Sequence, residues 1–179
     1  MGSDLRALVA DGAPLTSLIA TDIVSFWDVG YEIFRDRDKF KCQFIEADMM
    51  DPTGDLQDFK HLIDIVHISK VLHQWSFDRQ IEACKRLVDL SRLNCMIVGD
   101  QMGGLTGHEL KPYADLPGIW MHDEASWRKM WEIVERETGT KWKVETRVKT
   151  INEMGWDPKD YSYLRDDAIV LMFTVTRME

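Results

Sequence analysis

Cysteine is scarce: three occur in 179 residues, Cys42, Cys84 and Cys95, and no C-x-x-C pair is among them. Cys42 and Cys95 adjoin strand-like apolar runs and Cys84 lies on an apolar helical face. Buried free thiols in a reducing compartment, the cytoplasm, are expected. Long apolar runs are absent too. None approaches the roughly 18 residues of a membrane span. No basic flank followed by an apolar stretch opens the chain, so a secretory signal is not expected. Positive charge is in deficit, with 22 Lys and Arg against 31 Asp and Glu and a formal net charge of −9. That argues against a nucleic-acid partner, because phosphate binding needs a concentrated basic face. The densest basic run, Arg35, Arg37, Lys39 and Lys41, is interleaved by Asp36 and Asp38 and reads as a solvated helix end. Internal repeats, low-complexity segments and linkers are missing as well. The length fits one domain, residues 1–179, with a proper core.

Strands and helices alternate along the rest. "MGSDLRALVADGAP" reads as a short helix entered through Gly2, capped by Ser3 and Asp4 and stopped by Gly12. In nucleotide-binding α/β proteins such a turn follows a buried strand. Strands are expected at Ser17–Ile23, Cys42–Asp48, Ile63–Ser69 and Asn94–Asp100, from short apolar runs with acidic or polar ends. Ser25 with Asp28 makes a capping-box start to a helix carrying Trp27, Tyr31 and Phe34. A second helix opens on Ser76 and puts Ile81, Cys84, Leu87 and Val88 on one stripe. A third runs from Asp123 to Gly139, with Trp127, Met130, Trp131 and Val134 facing inward. "QMGGLTGHE" reads as a glycine-rich loop. "WKVETRVKT" alternates as a strand with one wet face, and "AIVLMFTVT" is apolar enough to be buried on both faces. The order implies an α/β fold, a mostly parallel sheet with an antiparallel terminal strand pair.

Ligands of open α/β sheets bind beyond the carboxyl ends of the strands. Asp22 there either accepts from ribose hydroxyls or caps the next helix. Asp48 either accepts from an exocyclic amine or serves a turn, with Ile23 and Met49 able to cover the faces of a purine. His73, after the third strand in "VLHQW", can act as a general base or bond a backbone carbonyl. His122, before the third helix, has the same choice. His67 reads as a core histidine, and the spacing of His61, His67 and His73 argues against a metal site. Trp75, Gln101, Met102 and Trp127 stand in or near the loops around a pocket, where aromatics suit a flat apolar ligand. Trp120 and Trp156 share that neighbourhood. A G-x-S-x-G elbow and a P-loop lysine are both lacking.

"DLRALVADGAP", "FWDVGYEIFRDRDKFKCQFIEAD", "DIVHISKVLHQW", "MIVGDQMGG" and "HDEASWRKMWEIVERETGTKWKVE" together resemble the fungal class I S-adenosylmethionine-dependent methyltransferases of polyketide and meroterpenoid pathways. The likeness keeps the segment order over nearly the whole chain. It implies a Rossmann-like methyltransferase sheet and S-adenosylmethionine as cofactor. Asp22 would be the ribose-binding acid, Asp48 the adenine-side acid and His73 a residue of the substrate side. In that family a buried strand and a D-x-G-x-G-type loop precede the stretch matching "DLRALV". This chain is expected to lack that first strand and to keep only Gly2 of the loop. Methyl transfer to a small molecule is the leading expectation. A cofactor-independent cyclase, isomerase or dehydratase on the same scaffold is the alternative. A third is a non-catalytic truncated or sheet-completing subunit, with an exposed strand edge open to a homo-oligomer.

Overall fold

The computed structural model describes residues 1–111, 117–157, 159–161 and 164–179. They form two compact units, Met1–Asp58 and Phe59–Glu179.

In the smaller unit helix α1 (Ser3–Ala10) leads to strand β1 (Ile19–Asp22), helix α2 (Trp27–Phe34) and strand β2 (Gln43–Glu46). β1 and β2 pair in parallel, Asp22 opposite Glu46. Trp27, Phe40 and Cys42 make the buried centre, with Leu5, Val9, Leu18 and Phe44 packed on it. The Trp27 and Phe44 rings stack at 5.0 Å. Arg6 holds α1 to the segment after α2: its Nε and Nη2 donate to Asp36 at 2.6 and 2.9 Å, and its guanidinium lies over the Phe34 and Phe40 rings. Asp36 is therefore no part of a solvated helix end. The Arg6 hydrogen bond holds its carboxyl below the usual range. Two expected caps are corrected. The N-cap of α1 is Gly2 at φ 73°, without a side-chain cap. The N-cap of α2 is Phe26, one residue past Ser25, so Asp28 is not in capping-box register with Ser25.

The larger unit holds β3 (Ile63–Ser69), α3 (Phe77–Leu90), β4 (Ser91–Gly104), β5 (His108–Leu110), β6 (Ile119–Met121), α4 (Glu124–Thr138), β7 (Trp142–Thr150) and β8 (Ala168–Arg177). Its main sheet runs β3-β4-β8-β7, and β5 and β6 form a separate hairpin. β3 and β4 are parallel, while β8 is antiparallel to both β4 and β7. The α/β class with parallel strands and an antiparallel terminal pair is borne out. The glycine-rich loop is not: Gln101–Gly104 continue β4, because β8 pairs with them out to Gly104. β8 buries Ile169, Leu171, Phe173 and Val175 on one face and Val170 on the other, where Met172 and Thr174 keep partial exposure, so burial on both faces holds only in part. The expected stripes of α3 and α4 are all buried, and Asp123 with Ser126 forms a complete capping box on α4. The three cysteines are free and buried. Gly103 is required where β4 meets the backbone carbonyl of His122, since a Cβ would overlap that oxygen.

Trp131 is 1% exposed and packs against Trp127 and Trp142. Trp131→Ala is expected to cost about 3–5 kcal/mol by cavity formation, measured by urea unfolding.

Candidate functional site

The carboxyl ends of β1 and β2 carry the first cluster. Asp22 ends β1, and its backbone carbonyl accepts from Ala47 N at 3.0 Å. Its exposed carboxylate has no hydrogen-bond partner among the described residues. Asp48 lies two residues beyond Glu46, the partner of Asp22. Its Oδ1 accepts from Met50 N at 2.8 Å, so the turn role is present, and the residue is exposed. Ile23 is 63% exposed beside Asp22, and Met49 is half-buried. Gly2 belongs to this unit as the left-handed residue that starts α1. A Cβ on it would come within 2.7 Å of the Trp27 ring, so only glycine fits. Two open carboxylates on neighbouring strand ends, next to an exposed apolar side chain, suit a ligand with paired hydroxyls, an amine and a flat face. A ribonucleoside has all three.

The carboxyl ends of β3 and β4 carry the second. Lys70 follows β3 in a left-handed conformation, φ 57°, and its N–H donates to Asp100 O at 2.8 Å. Its ammonium pairs with Asp100 Oδ2 at 2.5 Å, and the Ser69 hydroxyl donates to Oδ1. Burial works to raise the Asp100 carboxyl, but the bonds from Lys70 and Ser69 outweigh it and leave it below the usual range. Trp156, stacked on Tyr161, lies 5.5 Å from the Lys70 ammonium, and Met102 Sδ lies 4.0 Å from it. His73 sits in the 3₁₀ turn Leu72–Gln74 with Nδ1 buried and unbonded. The backbone-carbonyl role considered for it is not seen at that nitrogen. Burial, then the Lys70 charge, lowers its pKa from 6.5 to about 4, with Asp100 opposing. The imidazole is neutral at neutral pH and able to accept a proton. Trp75, two residues on, is half-buried with Arg79 over its ring. Sequence reading gave Lys70 and Ser69 no role. The available signal was a lysine directly after an apolar strand whose neighbour ends in an acid.

Three predicted site residues are enclosed instead. His122 is 0% exposed, its Nδ1 bonded to Ser126 Oγ at 2.9 Å and its Nε2 buried without a partner. Burial lowers its pKa to about 3. Trp127 is equally buried, its surface spent on Phe173, Trp131 and His122. Gln101 points inward from β4, 1% exposed, with neither side-chain polar atom bonded. The substrate-contact role expected of Trp127 and Gln101 is corrected to core packing, and the general-base role of His122 is corrected likewise, since none presents surface to a ligand. His67, expected in the core, is exposed on β3. Among the described residues no group of three His, Cys, Asp or Glu is placed to hold a metal ion.

The fold is that of S-adenosylmethionine-dependent methyltransferases. A Burkholderia thailandensis 1,6-didemethyltoxoflavin-N1-methyltransferase with bound S-adenosylhomocysteine matches at a TM-score of 0.69 and 12% identity, over 99% of this chain and 67% of that one. The [4+2]-cyclase SpnF matches at 0.70 and 10% identity, over 98% of this chain and 71% of that one. In sequence, the chain is a homologue of fungal methyltransferases over about four fifths of its length. O-methyltransferase phiE from a fungal species is 35% identical over 82% of the chain. O-methyltransferase atr3 from Stereocaulon alpinum is 36% identical over 82%, and methyltransferase adrK from Penicillium roqueforti is 38% identical over 80%. The chain spans about half the length of these relatives, 50%, 44% and 53% respectively. No family model matches it.

The two lowered histidines set a pH dependence. Below 6.5 the unfolded chain takes up protons that the fold refuses until about 4 at His73 and about 3 at His122. Their stabilising contribution is complete above 6.5 and is lost as pH falls through 4 to 3. The lowered carboxyl of Asp100 titrates below 3.8, under most of that window. Calorimetry is expected to show Tm falling between pH 7 and 4, with a flatter profile in His122→Phe.

Proposed function

We propose that this chain is the methyltransferase domain, residues 1–179, of an enzyme that transfers a methyl group to a small molecule of a fungal polyketide or meroterpenoid pathway. The observation that carries the reading is 35–38% identity to named methyltransferases over about four fifths of the chain. The open strand-end carboxylates of the smaller unit support S-adenosylmethionine as cofactor. Asp22 would accept from the ribose hydroxyls and Asp48 from the adenine amine, with Ile23 and Met49 against the ring and Gly2 beside the amino-acid part. When bound, the cofactor supplies an electrophilic methyl group on a sulfonium.

His73 is the base. Its neutral imidazole would take the proton of the acceptor O–H, and that oxygen would receive the methyl group of the cofactor, when bound, as the C–S bond breaks and the sulfur leaves as a neutral thioether. Desolvation keeps the imidazole in the neutral form that a proton acceptor needs. Trp75 and Met102 line the acceptor side. No helix among the described residues is long and apolar enough to cross a membrane. The free buried cysteines support a cytoplasmic setting. Calorimetric titration is expected to show binding of S-adenosylhomocysteine that Asp22→Asn weakens roughly 10- to 100-fold, the worth of hydrogen bonds to a charge. Absence of binding to the unsubstituted chain contradicts the reading.

The match to SpnF favours a second reading on the same scaffold, a cyclase that uses pocket shape and His73 without methyl transfer. Product formation that persists after the cofactor is removed supports it. Strict dependence on added S-adenosylmethionine rejects it.

Association is part of the proposal. Among the described residues β3 pairs only with β4, and Ile65 on it is exposed, directly opposite the exposed Met96 of β4. A second copy would pair on that edge. Sedimentation velocity is expected to show a concentration-dependent dimer that Ile65→Lys abolishes, because an edge charge blocks strand addition.

A further inference from the structure

A single buried carboxamide links the turn that holds His73 to β6. Gln80, on the first turns of α3, is 0% exposed. Its Nε2 donates both hydrogens, to Trp75 O at 2.9 Å and to Trp120 O at 3.0 Å. Trp120 N donates in turn to Trp75 O at 2.9 Å. The Trp75 carbonyl thus accepts twice, two residues after His73, and the Trp120 carbonyl lies in β6, two residues before His122. Phe77, on the same helix, packs edge-on against Trp120 at 5.1 Å and tilted against His122 at 5.6 Å. Without Gln80 the joint keeps one backbone hydrogen bond.

We propose that Gln80 is a positioning residue for His73, fixing the 3₁₀ turn that carries it by tying Trp75 to the β6 strand. The proposal rests on the reading of His73 as the base. The geometry explains a choice that packing alone does not. An apolar side chain would fill the same volume at position 80 more cheaply than an amide whose Oε1 stays buried and unbonded. The amide is kept where both of its hydrogens have a backbone acceptor. It holds the turn by its neighbour's main chain and leaves the imidazole itself untouched.

The test compares Gln80→Met, which keeps volume and removes both donors, with Val88→Ala, a core change on the same helix that lowers stability without touching the clamp. In the full chain, carbon-edited NMR reads the imidazole signals, with His61 and His108 as internal references. Gln80→Met is expected to shift or broaden the His73 signals and to speed Trp120 amide exchange roughly tenfold, the loss of about one hydrogen bond. Val88→Ala is expected to leave both unchanged. Calorimetry should show cofactor affinity unaffected by Gln80→Met, while kcat falls. If the His73 signals move and kcat does not, the clamp stands and the base assignment fails. Equal stability loss in both variants with unmoved His73 signals overturns the clamp. A measurement on the unsubstituted protein is independent of any folding defect. Both Gln80 carboxamide protons should be as protected from exchange as the Trp120 amide, and free exchange overturns the proposal.

Discussion

Nine consecutive residues of β4, Met96–Gly104, pair antiparallel with Ala168–Thr176 of β8, and the larger unit is arranged around that ladder. Every backbone group in such a run must find a partner once buried. β8 supplies partners on one side of β4 and β3 supplies them on the other, as far as Asp100. From there β4 runs on alone against β8 to Gly104, beside the His122 backbone. The end of β3 is thereby set next to Asp100, in the middle of a rigid strand. Lys70, its backbone turned left-handed and its amide bonded to Asp100, directs its ammonium back onto the same residue. The His73 turn begins immediately after.

The two clusters differ in how their charges are satisfied. Asp100 is committed: a lysine and a serine hold it as a structural anion against the opposing effect of partial burial. Asp22 and Asp48 are uncommitted, exposed and short of partners for at least one oxygen each. An internal ion pair shapes a site, and a bare carboxylate at a strand end recruits donors from outside. This contrast supports the proposal of ligand recognition at the smaller unit's strand ends and, separately, of acid–base chemistry at the larger unit's. His73 fits that division, since desolvation keeps it neutral without consuming its Nδ1 in a hydrogen bond.

Much of this was legible in the sequence. Period and capping placed α3 and α4 with their buried stripes, and the alternation in "WKVETRVKT" and the apolar run after it gave β7 and β8 within a residue. The acids ending β1 and following β2 marked the open carboxylates. What failed was non-local. Gln101–Gly104 look like a loop because two glycines usually break a strand, and only pairing with residues some 70 positions away makes them one. The hairpin β5–β6 is too short to leave a periodic signal. Trp127 and Gln101 were expected at a pocket because of their place in the chain, but inward direction is set by the register of β4 and the face of α4. Gln80 gave no signal, since its value lies in two carbonyls from different segments.

The measurement closest to the central claim is a crystal structure of the chain grown with S-adenosylhomocysteine. The account predicts the ribose hydroxyls on the Asp22 carboxylate and the adenine amine on Asp48, with Ile23 against the ring. A nucleoside bound at other residues, with Asp22 and Asp48 still facing solvent, would contradict it.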